Sequence, residues 1–245
     1  MNTAKGEIRL LLLTPVPPPE GWKEEAQALP KKEYLLHGTT VDTAYCPGAP
    51  ESYERRVDRR RAVPIIVDRT RRAQQQGYDA VVLRCMVDPG LAEAKQAVRI
   101  PVVGLGEASR AVAALVGSTA SEVFPRRMTI RQLVDAPDSL YPRLLQSGRW
   151  QVQQGGADVL IPDCAYLGPW ADSLQTELGV PVLAGEDIAL RLAELLVVFG
   201  LRREESWVES TRAARWRRPL GRAAARGWRT LATWLPWRPR DWSPS

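Results

Sequence analysis

The chain is predicted to be an α/β protein with parallel sheet, doubly wound, and built from two similar halves. Three observations carry that reading. Short aliphatic runs without polar alternation recur along the chain, as strands covered on both faces require. Segments with helical spacing separate them, giving the alternation of β and α elements that marks this class. One stretch is also written twice: Gly77-Tyr-Asp79-Ala-Val-Val-Leu-Arg-Cys85 and Gly156-Ala-Asp158-Val-Leu-Ile-Pro-Asp-Cys164. In both copies Gly lies eight residues before Cys, Asp six before it, and a Glu (Glu107, Glu186) twenty-two after it.

Taken in order, strands are expected at 8–13, 80–83, 102–103, 159–161 and 182–183, each bounded by Gly or Pro. Helices are expected at 53–76, 91–98, 107–116, 139–154 and 186–199. A proline-rich stretch at 15–19 makes a stiff loop after the first strand. The stretch 119–142 is harder to assign, with a possible strand at 128–133 and a turn at 135–138. Domain organisation is read as a body over 1–200, holding two interleaved half-repeats around Cys85 and Cys164, followed by an extension over 201–245. Helices near 204–217 and 221–234 are expected in that extension.

Charge divides the same way. The chain carries +6 at neutral pH, but residues 201–245 hold 11 Arg against 4 acids, a net +7, which leaves the other 200 residues at −1. The basic balance therefore describes a tail and says nothing about an acidic substrate in the body. Six of the nine tryptophans share that tail, a pattern expected to pack Trp on the body or on a second subunit. Contact of residues 202–245 with nucleic acid or an anionic membrane is the less favoured reading.

The run Ile8–Leu13 is too short for a secretory h-region and is followed by no cleavage site, and no run reaches the ~20 apolar residues that span a bilayer. A cytoplasmic protein with reduced thiols is expected. Three cysteines and one histidine, none in CxxC or HxxxH spacing, argue against a structural zinc. Cys46 has no counterpart in the repeat and reads as structural, as does His37.

Ligands of doubly wound sheets bind beyond the carboxyl ends of the strands, where Cys85 and Cys164 both fall. A lone cysteine there is usually a small buried hydrophobe. Packing, however, gives no reason to repeat one at matched positions. Two thiols facing each other suit two-base chemistry on a carbon acid: one thiolate removes a proton from one face and the opposing thiol returns one to the other. Asp88-Pro89-Gly90 after Cys85 reads as a helix start, and Gly168-Pro169 after Cys164 is read as playing a similar part. Orphan amides there would favour the thiolates and the enolate-like intermediate.

Several of these residues resemble a known family. Gly77–Leu91, with its Cys-Met-Val-Asp-Pro-Gly-Leu run, is similar to the first cysteine motif of hydantoin racemases, within the aspartate/glutamate racemase superfamily. Ile100–Ser109 resembles that family's IPVVGxGEAS stretch, Gly156–Ala165 its second cysteine motif, and Val180–Leu192 its closing strand and helix. Cys46–Tyr53 is weakly similar to its Gly-Pro-x-Ser-x-Glu loop. The resemblance covers roughly residues 7–200. It implies two pseudo-symmetric three-layer α/β/α subdomains with the active site between them, catalysis by Cys85 and Cys164, and no cofactor or metal. Thr14, Pro15, Met86, Val87, Ala165, Tyr166, Glu107 and Asp163 are the candidate substrate-binding residues.

This chain departs from the pattern in three places. Thr14-Pro15-Val16-Pro17-Pro18 stands where the family has an Asn-Pro-Asn-Thr-Ser type loop, so those side-chain donors are replaced by a stiff apolar segment. Asp163 stands where a Gly precedes the second cysteine, and a carboxylate there raises the thiol pKa unless it points away or acts as an acid/base itself. The stretch between the cysteines is about thirty residues short, and the strand and helix opening the second half are expected to be missing.

The expected activity is therefore a cofactor-independent isomerase or epimerase acting on a larger, more apolar small molecule, as in a tailoring step of specialised metabolism. A single-cysteine decarboxylase and a non-catalytic racemase-fold scaffold are the alternatives. A homo-oligomer is the expected assembly.

Overall fold

A computed structural model describes residues 7–18, 27–28, 34–53, 55–125 and 140–204; the expected strand at 128–133 and the extension beyond 204 lie outside these. The described residues belong to one compact unit. Strand β1 (Ile8–Thr14) is central to a five-stranded sheet, with β3 (Thr39–Tyr45) on one side and β4 (Ala80–Leu83) on the other, both parallel to it. Beyond β4 lies β5 (Val102–Gly104), parallel; beyond β3 lies the two-residue β2 (Gln27–Ala28), which is antiparallel, so this sheet is mixed at one edge. A second sheet pairs β6 (Ala120–Val123) with β7 (Val159–Pro162) in parallel, and an isolated bridge from Leu160 to Val182 adds a third segment.

The helices are α1 (Arg56–Gln75), α2 (Leu91–Ala97), α3 (Leu105–Val116), α4 (Leu140–Gln153), α5 (Ala171–Leu178) and α6 (Gly185–Val198), with a 3₁₀ turn over Ala165–Trp170. Strand alternation sorts the core into layers. Leu11, Leu13, Val81 and Leu83 turn to one face of the first sheet and pack with Ile66, Ala73, Leu91 and Ala94 of α1 and α2. Leu10, Leu12, Ala80 and Val82 turn to the other face, where they share one cluster with Leu105 and Ala108 of α3, Ala189 and Leu190 of α6, and Val159 and Ile161 of β7. The far face of the second sheet, through Leu160 and Val123, packs on Leu144 of α4 and Leu174 of α5.

The two halves thus share a middle helical layer. Helix α3 leaves the first sheet and packs on β6 and β7, while α6 leaves the second sheet and packs on β1, β4 and β5. Each half becomes three-layered by borrowing a helix from the other, which ties the two sheets into one core and brings their carboxyl edges together.

Both copies of the repeat use the same hydrogen bonds. The Asp79 N–H donates to the Arg9 carbonyl (2.8 Å) and the Asp158 N–H to that of Thr119 (3.0 Å). Arg84 N–H reaches the Leu13 carbonyl (2.8 Å) and Asp163 N–H that of Val123 (2.9 Å). Gly77 and Gly156 both adopt positive φ, +81° and +66°, to turn the chain out of the preceding helix. The Asp79 carboxylate then accepts the Arg9 N–H, and that of Asp158 accepts the Ser118 and Thr119 N–H groups. The repeated Gly-x-Asp therefore fastens the start of one strand to the start of its neighbour, a structural task rather than a chemical one.

This symmetry corrects one expectation. The strand opening the second half is present: β6 stands to β7 as β1 stands to β4. Helix α4 likewise precedes β7 as α1 precedes β4. The shortfall lies between β6 and α4, where the first half has β2 and β3. Ala120-Ser-Glu-Val carries no apolar run, and only Val123 of the four is buried, so the strand was invisible to hydrophobic pattern. Strand β3 was likewise unforeseen, being Thr-rich. No helix among the described residues is long and apolar enough to cross a membrane.

Candidate active site

Cys85 and Cys164 each follow the last residues of a central strand, β4 and β7, and each opens a tight turn. The Asp88 N–H donates to the Cys85 carbonyl (3.1 Å) and the Leu167 N–H to that of Cys164 (2.9 Å). In both turns the amide two residues on is directed at the thiol sulfur: Val87 N–H toward Cys85 and Tyr166 N–H toward Cys164. The nearest donors are thus closer in sequence than the expected Asp88-Pro89-Gly90 and Gly168-Pro169 segments. Gly168 and Pro169 fall inside the 3₁₀ turn.

Burial pushes the Cys85 thiol up to about 12, its Val87 amide opposing, and Asp88 and Cys164 add to the rise. That Cys164 enters there places the two thiols within electrostatic reach of each other. Burial also raises Cys164; the Tyr166 amide and Arg84 hold it down, and Asp163 pushes it up. Cys46 is different. It is fully buried under α1, its thiol pushed up to about 12 by burial with only Arg69 opposing, and no repeat mate faces it.

The other candidates divide. Val87 and Tyr166, 38% and 48% exposed, flank the two cysteines and present apolar surface to the opening. Ala165 is half-buried beside Cys164. Thr14 is buried at the end of β1 beside β4, and its hydroxyl has no hydrogen-bond partner. Pro15 is buried and its carbonyl accepts the Tyr53 hydroxyl, while the Val16 carbonyl accepts the Cys46 N–H (3.0 Å), so the apolar loop is anchored to the end of β3. Asp163 is half-buried, its carboxyl raised to about 6 by burial and Glu122.

Two candidates serve elsewhere. Met86 is a core side chain between the sheets, 4% exposed. Glu107 turns back to the Gly104 N–H (3.3 Å) and pairs with Lys95 on α2, lining a groove with Arg99, Leu192 and Leu196. A capping carboxylate at the third position of a helix has this geometry, so the conserved spacing to Cys85 has a structural cause.

Sequence reasoning missed Asp88 and Arg84 as site groups. Asp88 adopts φ +47° and its carboxylate accepts the Gly106 (3.1 Å) and Glu107 (2.7 Å) N–H groups at the start of α3. Arg110 bridges that carboxylate (3.1 Å) to Glu122 of β6 (3.3 Å), so the Cys85 turn is tied to both halves. Arg84, one residue before Cys85, pairs through Nε with Glu186 of α6 at 2.7 Å. In Arg84 the only available signal was its place beside the thiol.

Burial raises the Asp88 and Asp163 carboxyls alike to about 6. Raised carboxyls favour the fold below about pH 4, where both folded and unfolded chains are protonated, and withdraw that support as pH climbs through 6. Asp163→Asn is expected to flatten the fall of melting temperature between pH 4 and 6. The same change removes a negative charge beside Cys164, so its thiol pKa falls and iodoacetamide at pH 8 alkylates it several-fold faster. An unchanged rate would show that Asp163 does not govern the thiol.

The chain was compared with known proteins. The family model Asp/Glu/Hydantoin racemase matches residues 24–123. A hydantoin racemase of Pseudomonas sp. (strain NS671) is 30% identical over 177 residues, 62% of this chain and 71% of that protein. A hydantoin racemase of Rhizobium meliloti is 28% identical over 71% of this chain and 84% of its own length. Among solved structures, an allantoin racemase from Klebsiella pneumoniae shares the fold with TM-score 0.70 at 19% identity, covering 82% of this chain and 93% of that one. Arylmalonate decarboxylase shares it more loosely, with TM-score 0.52 at 16% identity, covering 76% and 92%. With matched thiols on two half-sheets and this similarity along the body, the chain belongs to the Asp/Glu/hydantoin racemase family, a racemase-type enzyme close in sequence to the hydantoin racemases.

Proposed function

We propose that the protein inverts a carbon acid by proton transfer between Cys85 and Cys164, without a cofactor. The observation that carries this reading is the matched setting of the two sulfurs: equivalent strand ends, the same turn, and an amide from the residue two further on directed at each. One sulfur, as thiolate, takes the proton from the substrate carbon and becomes a thiol. The carbanion delocalises as an enolate, and the opposing thiol gives its own proton to the other face and becomes the thiolate. No atom is gained or lost, and the two sulfurs exchange roles for the reverse direction. Cys164 is the thiol that ionises first, since Arg84 stabilises its thiolate while the Cys85 thiol faces Asp88.

Both thiols are raised, so few are ionised at neutral pH, but a thiolate of high pKa is a strong base suited to a weak carbon acid. The exposed Val87 and Tyr166 side chains suit a substrate with an apolar body. The hydantoin racemases among its relatives make 5-benzylhydantoin the first compound to try. In D₂O, each enantiomer is expected to racemise with deuterium at the 5-carbon. Racemisation of any substrate without solvent deuterium entering would sink the reading.

A further inference from the structure

The apolar loop after β1 lacks the polar side chains that would hold a substrate, yet polar groups meet beside Cys164. On β1, Leu10, Leu12 and Thr14 face the shared middle layer, and on β4 so do Ala80, Val82 and then Arg84. The register puts Leu13 opposite Leu83, so Thr14 and Arg84 are lateral neighbours at the carboxyl edge of the sheet, on the face that α6 covers. Arg84 is 29% exposed, and among the described residues its only hydrogen bond uses Nε, to Glu186. Its two terminal nitrogens make none. Thr14 is 6% exposed, with a buried hydroxyl that no group satisfies. Leaving a buried hydroxyl unpaired is costly unless something else completes it. Arg84 also acts electrostatically on Cys164 and Tyr166, which places its charge on the side of the site where the thiolate forms.

We infer that Arg84 and Thr14 form an anion-binding subsite for a carboxylate carried by the substrate, next to the reacting carbon. The inference rests on the proton-transfer reading only for where that carbon lies. Glu186 orients the guanidinium through Nε, leaving the two-pronged terminal edge to meet a carboxylate with two parallel hydrogen bonds. Glu186 stands in the first turn of α6, where the helix amides offset part of its charge, so the pair keeps positive potential at the Arg84 edge. The Thr14 hydroxyl donates to the same carboxylate. The apolar body of the substrate then lies along Val87 and Tyr166. The subsite defines a substrate class: an apolar molecule with one carboxylate near the acidic carbon, in place of a neutral ring held by loop side chains. Such an anion beside the enolate is matched by Arg84, whose charge both feel.

Benzoate and its neutral isostere benzamide test this directly, since benzoate has no acidic carbon and its binding is independent of catalysis. Titrated calorimetrically into the full-length protein, benzoate is expected to bind at least about tenfold more tightly than benzamide, and to protect Cys164 from iodoacetamide. Arg84→Gln is expected to abolish the preference. The double variant Arg84→Gln, Glu186→Gln leaves no lone carboxylate behind and serves where the single one does not fold; the same loss is expected in it. Cys85→Ala is expected to keep the preference. No preference in the wild type, or a preference that survives both Arg84 variants, overturns the subsite. Deuterium exchange decides the proton-transfer reading separately: exchange without a benzoate preference defeats only the subsite, and a preference without exchange defeats only the chemistry.

Discussion

Cys85→Ala and Cys164→Ala are each expected to lower racemisation on the order of 10³-fold, the scale of a lost general acid or base. Each variant keeps one base, so each is expected to exchange the proton of a single enantiomer with solvent, opposite enantiomers for the two variants. That crossed pattern separates two-base inversion from a single-cysteine mechanism, in which one of the two replacements would leave turnover nearly intact. In the wild type, the rate at low substrate should rise with pH from 7 toward 9, because burial raises both thiols and the thiolate that starts the reaction is scarce at neutrality. A rate flat across that range would mean the reacting base ionises lower than the burial of these sulfurs allows. Cys46→Ala, well away from the paired turns, should leave the exchange pattern unaltered.

Gly106→Ala is expected to be the most damaging single change outside the cysteines. A Cβ at Gly106 would stand 2.0 Å from the Met86 carbonyl oxygen and 2.7 Å from an Asp88 carboxylate oxygen. Neither neighbour can yield cheaply. The first is backbone of the Cys85 turn, and the second is held by the Gly106 and Glu107 amides and by Arg110. The methyl must push the Cys85 turn off the start of α3, at about 3 kcal/mol, the upper end of the usual overpacking cost. Melting temperature should drop and activity should fall further than stability alone explains, because the turn that aims the sulfur has moved. Gly168→Ala, inside the 3₁₀ turn after Cys164 and with nothing within 4 Å of the added carbon, is the matched control and should melt as wild type. If Gly106→Ala also melted as wild type, the close packing of α3 on the Cys85 turn would be refuted.

Much of this architecture was legible in the chain. Strands β1, β4, β5 and β7 are aliphatic runs closed by Gly or Pro, and burial on both faces leaves that signature whatever surrounds it. The spacing of Gly, Asp, Cys and Glu survived as a repeat because each half must fasten one strand start to the next and cap one helix. Strands β3 and β6 escaped because Thr-rich or half-exposed edge strands bury too little apolar surface to be periodic. Glu107 was drawn into the site by its fixed distance from Cys85, a distance that helix capping alone accounts for.

By itself, then, the sequence determined the α/β class, the duplicated half, and the two thiols at matched strand ends, since these depend on composition and spacing within a few tens of residues. Only the tertiary structure decided that the halves exchange α3 and α6, and what surrounds each thiol as a result. Arg84 meets Glu186 across 102 residues, and Arg110 joins the Cys85 turn to β6. Such pairs leave no local pattern, because a salt bridge is set by where two surfaces meet after the core has formed. The unpaired Thr14 hydroxyl is likewise a fact of burial, which no single position in the chain carries.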